Sequence, residues 1–176
     1  MKKLVLVLAV AVVALAMPAT LVAQDTGSLG SAVEQYDRSG KLLGDNRNAA
    51  EELVQVWNGL ALAAEKAISE TFAGKGSLAT VKSAEGQVIS FGRDYRPRFA
   101  GYHFVLSRLH LATAFHLRGG EPRKCEKRLE RAESELKQAR DLAGEKGAPA
   151  EFLEALDGQE RFLNQLAAAP GGGCSS

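Results

Sequence analysis

All three histidines of the chain fall inside one apolar run, "GYHFVLSRLHLATAFHLRGG", residues 101 to 120. Imidazoles so placed could ligate a metal, hold a haem iron or move protons, and their spacing limits which of these a single helix can do. His103 and His110 are seven residues apart; at 1.5 Å per residue they share a face but lie about 10.5 Å from one another. Two rings at that separation do not both reach one zinc at about 2.0 Å. His116 follows His110 by six residues and points roughly 120° away. One helix therefore cannot assemble a three-histidine site.

Each ring could still supply one ligand to a site completed by other helices. The bundle-carboxylate pattern needs Glu three residues before His, but those positions hold Ala100, Ser107 and Thr113. The Cys-x-x-Cys-His haem attachment is absent from the sequence. The favoured reading is that these are core or half-buried histidines bonded to Ser107, Tyr102 or an acid across a helix groove. The competing reading is a metal, haem or ligand carrier built on His103 or His110. Catalysis ranks third, since no nucleophile, carboxylate pair or phosphate-cradling loop stands out. No catalytic residue and no cofactor is assigned.

There are two cysteines. Cys125 lies in the first turn of one helical pattern, and Cys174 lies just beyond the helix expected to return antiparallel to it. That topology brings both to one end, so a Cys125–Cys174 disulfide is expected, typically contributing 2–4 kcal/mol. Two basic stretches are candidate contacts for an anion or a protein partner. "PRKCEKRLER" carries Arg123, Lys124 and Lys127 at a helix start, where cations oppose the macrodipole. "FGRDYRPRF" carries Arg93 and Arg96 among aromatics, the composition of a protein contact surface.

These groups must be positioned by helices. Leu53, Val56, Trp57, Leu60, Ala64, Ala67, Ile68 and Phe72 keep a three-four rhythm and predict a helix over 45–72. Residues 77–91 suit either a helix capped by Ser77 or a hairpin turning at Glu85 and Gly86; the helix is favoured, because a lone hairpin lacks sheet around it. It reads as a short extra helix, separated by Gly92 and Pro97 from the next helical pattern. Pro97 suits a first helical position, and 97–118 is apolar on nearly every face, the mark of a central helix. A restart at Pro122 brings the seam Cys125, Leu129, Ala132, Leu136, Ala139 and Leu142. A last helix from Pro149 carries Phe152, Leu153, Leu156, Phe162, Leu163 and Leu166.

The fold class is thus all-α, an antiparallel helical bundle of four long helices with one short extra helix. A stack of helical repeats is the alternative, although no 34-residue signature recurs.

The start of the chain reads as an export signal: Lys2 and Lys3, the uncharged "LVLVLAVAVVALAM", then "PATLVAQD". Residues 1–23 form this segment, cut after Ala23; cleavage after Ala19 and retention as a membrane anchor are the alternatives. Residues 24–44 form a flexible lead segment with room for a short helix along Leu29, Val33 and Tyr36. The bundle domain occupies 45–169 and a glycine-rich tail 170–176. Removing Lys2 and Lys3 leaves 20 basic against 21 acidic residues, a balance near zero that argues against nucleic acid. Both methionines, Met1 and Met17, precede the cut, which removes an axial haem ligand.

The sequence thus predicts a periplasmic or secreted, non-enzymatic module that binds or scaffolds a cell-envelope protein. Membrane contact arises only if the first segment is retained, and a homo-oligomer is compatible with the chain.

Overall fold

The computed structural model describes residues 47–169 and 173–174. The export segment and the lead segment lie outside the described residues, as do 170–172, 175 and 176 of the tail. Five helices follow one another: α1 (Arg47–Phe72), α2 (Leu78–Tyr95), α3 (Ala100–Leu117), α4 (Pro122–Lys146) and α5 (Ala150–Ala168). No strand occurs among the described residues, and none of these helices is long and apolar enough to cross a membrane.

Each helix forms where its apolar period and its end signals agree. In α1 the rhythm buries Leu53, Trp57, Ala61, Ala64, Ala67 and Ile68. Val56, expected in that stripe, is instead 50 % exposed. In α2 the Ser77 hydroxyl accepts from the Thr80 amide at 3.1 Å and closes the N-terminus.

The expected short extra helix is corrected by the structure: α2 has 18 residues, as many as α3. It does not stop at Gly92 but carries on to Tyr95, because Phe91 continues the buried stripe of Val81, Ala84 and Val88. Arg96 ends it in the left-handed region, φ 43°, with its amide bonded to the Gly92 carbonyl at 2.8 Å. Pro97 then blocks continuation. Pro97 is consequently not the first residue of the central helix, which starts at Ala100 after Phe99.

Fifteen of the eighteen residues of α3 are buried, so this helix has neighbours on several sides. On one side lies a cluster around Trp57, which sits 5.4 Å from Phe91, 4.9 Å from Phe99 and 6.0 Å from Tyr102 between ring centroids. Gly92 permits this arrangement: a Cβ there would lie 1.8 Å from the Tyr102 oxygen.

On the other side Phe104 meets Phe152 of α5 at 5.4 Å, within a cluster that includes Ala132, Leu136, Ala139 and Leu156. Those alanines let α4 come close, and Ser107 Oγ donates to the Ala132 carbonyl at 2.6 Å. Helix α4 ends at Gly147 with φ 66°, the left-handed cap that glycine adopts without penalty. Arg140 then joins α4 to α5 by donating to Asp157 at 2.8 Å and Glu160 at 2.6 Å.

Candidate functional site

His103 and His110 share a face of α3 and His116 points elsewhere, as their spacing requires, and each meets a polar group on a neighbouring helix. His103 Nδ1 lies 2.7 Å from Glu135 Oε2 on α4. His116 Nε2 lies 3.1 Å from Thr71 Oγ1 on α1. The Thr71 hydroxyl donates its proton to the Ala67 carbonyl at 2.8 Å, so it accepts from the ring and fixes the Nε2–H tautomer. Burial pulls the His116 pKa below its ordinary value.

His110 is buried together with Glu85. Its Nδ1 is 3.0 Å from Glu85 Oε1 on α2. The same carboxylate oxygen accepts from Arg128 Nη1 on α4. Ring nitrogen and guanidinium nitrogen are themselves 3.0 Å apart. A guanidinium only donates, so with Nδ1–H directed at the carboxylate the two donors share one acceptor. Thr113 Oγ1 lies 3.5 Å from the other carboxylate oxygen. Burial pushes the Glu85 pKa up, but the hydrogen bond and charge of His110, followed by those of Arg128, outweigh it and hold the carboxyl below its ordinary value.

A second buried pair has the opposite balance. Arg108 Nη1 donates to Glu65 Oε1 on α1 at 2.5 Å, and its guanidinium carbon lies 5.6 Å from the Phe104 ring centre. Here burial outweighs the charge and hydrogen bond of Arg108, so the Glu65 pKa is raised despite the ion pair. The Tyr102 hydroxyl is pushed up to about 12, first by burial and then by the Glu135 charge. Gln159 Nε2 donates to Ser107 Oγ at 2.6 Å, extending the same polar seam to α5.

An imidazole beside a carboxylate is a pair that a general base could use, but a reaction also needs a nucleophile within reach and room for a substrate. The cavity found against α3 is about 20 Å³, room for about one water. Its lining includes Phe72, Leu111, Phe115, Phe162 and Leu166 and neither His103 nor His110. Among the described residues, no group of three or more His, Cys, Asp or Glu side chains has a disposition that could hold a metal ion. Among the described residues, the contacts of the cluster satisfy buried polar groups across helix seams.

The cysteines are joined, Cys125 to Cys174, with Cα atoms 5.7 Å apart across a sequence separation of 49. The Gly119 amide donates to the Cys174 carbonyl at 3.2 Å, adding a second tie. A disulfide points to an oxidising compartment.

The five basic candidates stay on the surface. Arg93 donates to Asp94 at 3.0 Å and to Ser90 at 3.0 Å, and Arg96 is the α2 cap. Arg123 and Lys127 are exposed at the start of α4, and Lys124 pairs with Glu121. The two sets belong to different helices and do not form one patch by sequence proximity.

The buried or half-buried residues Glu65, Glu85, Arg108, Arg128 and Glu135 were not assigned as partners from sequence. A signal for two of them was present. Arg108 sits in a helix apolar on nearly every face, and Glu85 follows Ala84 within the buried stripe of α2, so each charge has to find a partner. Compared with protein-family models, curated proteins and solved structures, the chain matches none of them.

Proposed function

We propose that this chain is exported by its first 23 residues and acts in the periplasm or outside the cell as a non-enzymatic helical module that binds or scaffolds an envelope protein. The observation that carries the reading is that each histidine and each buried charge of α3 is taken up by a partner on another helix. The interior then serves rigidity, and function falls to the surface, with Arg93, Arg96, Arg123, Lys124 and Lys127 as contact residues. The disulfide supports an oxidising destination.

An alternating up-and-down order suits such a module. Along α3 and α4 residue numbers rise on one helix as they fall on the other: His103 with Glu135, Ser107 with Ala132, His110 with Arg128. Along α1 and α3 they rise together, Glu65 with Arg108 and Thr71 with His116. Glu65–Arg108 and Glu85–Arg128 are both 43 residues apart. This favours hairpins stacked one layer on the next, the arrangement that presents extended binding surfaces in helical repeats.

The test is cross-linking in intact cells, followed by fractionation. The expected result is a mature chain beginning at Gln24 in the periplasmic or external fraction, joined reproducibly to one envelope protein. Reversing Arg123, Lys124 and Lys127 to Glu should abolish that cross-link and leave the thermal midpoint unchanged. A cytoplasmic location, or no reproducible adduct from cells rich in the protein, would refute the reading.

A further inference from the structure

The bond between Cys125 and Cys174 stands apart from the rest of the interior. Its cysteines are 1 % and 0 % exposed and pack with Ala114 and Leu117 in a small cluster at the C-terminal end of α3. Neither larger cluster, the one around Trp57 or the one that joins Phe104 to Phe152, includes a cysteine among the described residues. The ties that hold α4 and α5 to the other helices lie elsewhere: Ser107 on the Ala132 carbonyl, Arg128 on Glu85 and Gln159 on Ser107. Opening this one bond therefore leaves the ties of the helical body in place.

Gly173 and Cys174 cover an apolar junction. Cys125 and Gly173 line the small cavity together with Phe115, Leu129, Phe162 and Leu166, so the bonded strap supplies part of its wall. Gly173 is seated tightly on the end of α5: its φ is 73°, and a Cβ there would lie 2.9 Å from the Leu166 carbonyl oxygen. Cys174 is held by the disulfide and by the Gly119 amide, which donates to its carbonyl at 3.2 Å. Without the covalent tie, that hydrogen bond and the packing of one thiol have to offset the entropy of ordering the strap.

We infer that Cys125–Cys174 is a redox latch: reduction by a dithiol frees Gly173 and Cys174 from the end of α3 and bares the apolar surface of Phe115, Leu129, Phe162 and Leu166, while the helices stay packed. A thiolate of the dithiol attacks one cysteine sulfur and displaces the other as a thiolate, which takes up a proton. The second thiol of the dithiol then displaces the first cysteine, which is protonated in turn, and the dithiol leaves as its own disulfide. Two electrons and two protons pass from the dithiol to the cysteines. Because both cysteines are enclosed, the dithiol reaches the bond through a local opening of the strap. The latch is closed in an oxidising compartment and does not depend on which envelope protein the surface binds.

Hydrogen exchange of the exported protein tests this, followed by NMR amide by amide with and without dithiothreitol, below the thermal midpoint of the reduced form. On reduction the Gly119 amide, which loses the Cys174 carbonyl, should exchange about tenfold faster or more, while the Leu109 amide in the middle of α3 keeps its protection. Binding of anilinonaphthalene sulfonate should rise severalfold at unchanged helical circular dichroism. Cys174→Ser should show the same pattern without reductant. An unchanged Gly119 amide would overturn the inference, and so would a Leu109 amide accelerated equally, which would make the bond a brace of the whole fold. Gly173→Ala gives an independent reading with the bond intact: its Cβ unseats the strap, so dithiothreitol should reduce it severalfold faster than the parent, measured by alkylation and mass spectrometry. Equal rates would equally overturn the latch.

Discussion

Replacing Glu85 by Ala tests the central physical statement, that the interior is held by charges which need one another. The Glu85 and His110 side chains are each 6 % exposed, and Arg128 is 21 % exposed. Removing the carboxylate leaves a guanidinium and an imidazole 3.0 Å apart with their shared acceptor gone. Breaking a buried pair in this way costs about 3–5 kcal/mol, a large part of the roughly 5–15 kcal/mol that holds a domain folded. Glu85→Gln keeps the shape and one acceptor for Arg128, and should cost less, about 1.5–3 kcal/mol.

The control is Arg93→Ala. Its pair with Asp94 has side chains 75 % and 50 % exposed and should contribute within about 0.5 kcal/mol. Urea unfolding of the oxidised proteins at pH 7, followed by the fluorescence of the single tryptophan, Trp57, gives all three values. With a slope of about 2 kcal/mol/M, Glu85→Ala should move the midpoint down by roughly 2 M at unchanged slope. A Glu85→Ala midpoint no lower than that of Arg93→Ala would refute the reasoning.

Acid titration should separate the two buried carboxyls by sign. The lowered Glu85 value gives stability that is present above the unfolded value of 4.5 and lost as pH falls through the folded value, so Glu85→Gln should flatten the acid limb of a Tm against pH profile. Glu65, with a raised value, gives stability that is present below 4.5 and lost as pH rises through its folded value; Glu65→Gln should therefore steepen the same limb. His116 binds its proton less readily in the folded chain, so stability should decline as pH falls below 6.5, and His116→Gln should weaken that decline between pH 7 and 5. Two glycines of α2 should respond oppositely to Ala. Gly86 faces open space and should gain about 0.5–1 kcal/mol in urea unfolding, whereas Gly92→Ala drives a Cβ into the buried Tyr102 ring and should lose about 2 kcal/mol. Reducing the Cys125–Cys174 bond should cost about 2–4 kcal/mol, read as a lower thermal midpoint with dithiothreitol than without.

The sequence alone determined the all-helical class, because apolar residues recur at three-four spacing between Pro and Gly signals that stop and restart the chain. It also placed the disulfide, between Cys125 just inside α4 and Cys174 just past α5. It marked α3 as central from apolar side chains on nearly every face, a purely local property of the residues. Local pattern did not determine how far α2 runs. Gly92 reads as a break in isolation, yet the helix runs through it because Phe91 continues the buried stripe, and the Tyr102 ring of α3 packs where a side chain would stand. Nor did it tell Val56, which is exposed, from Trp57, since both fit the apolar rhythm and packing against α2 and α3 chooses the face. The partners of the histidines came from tertiary structure alone. His110, Glu85 and Arg128 are far apart in sequence and meet only when three helices pack, and the cost of burying a charge without its partner makes that meeting necessary.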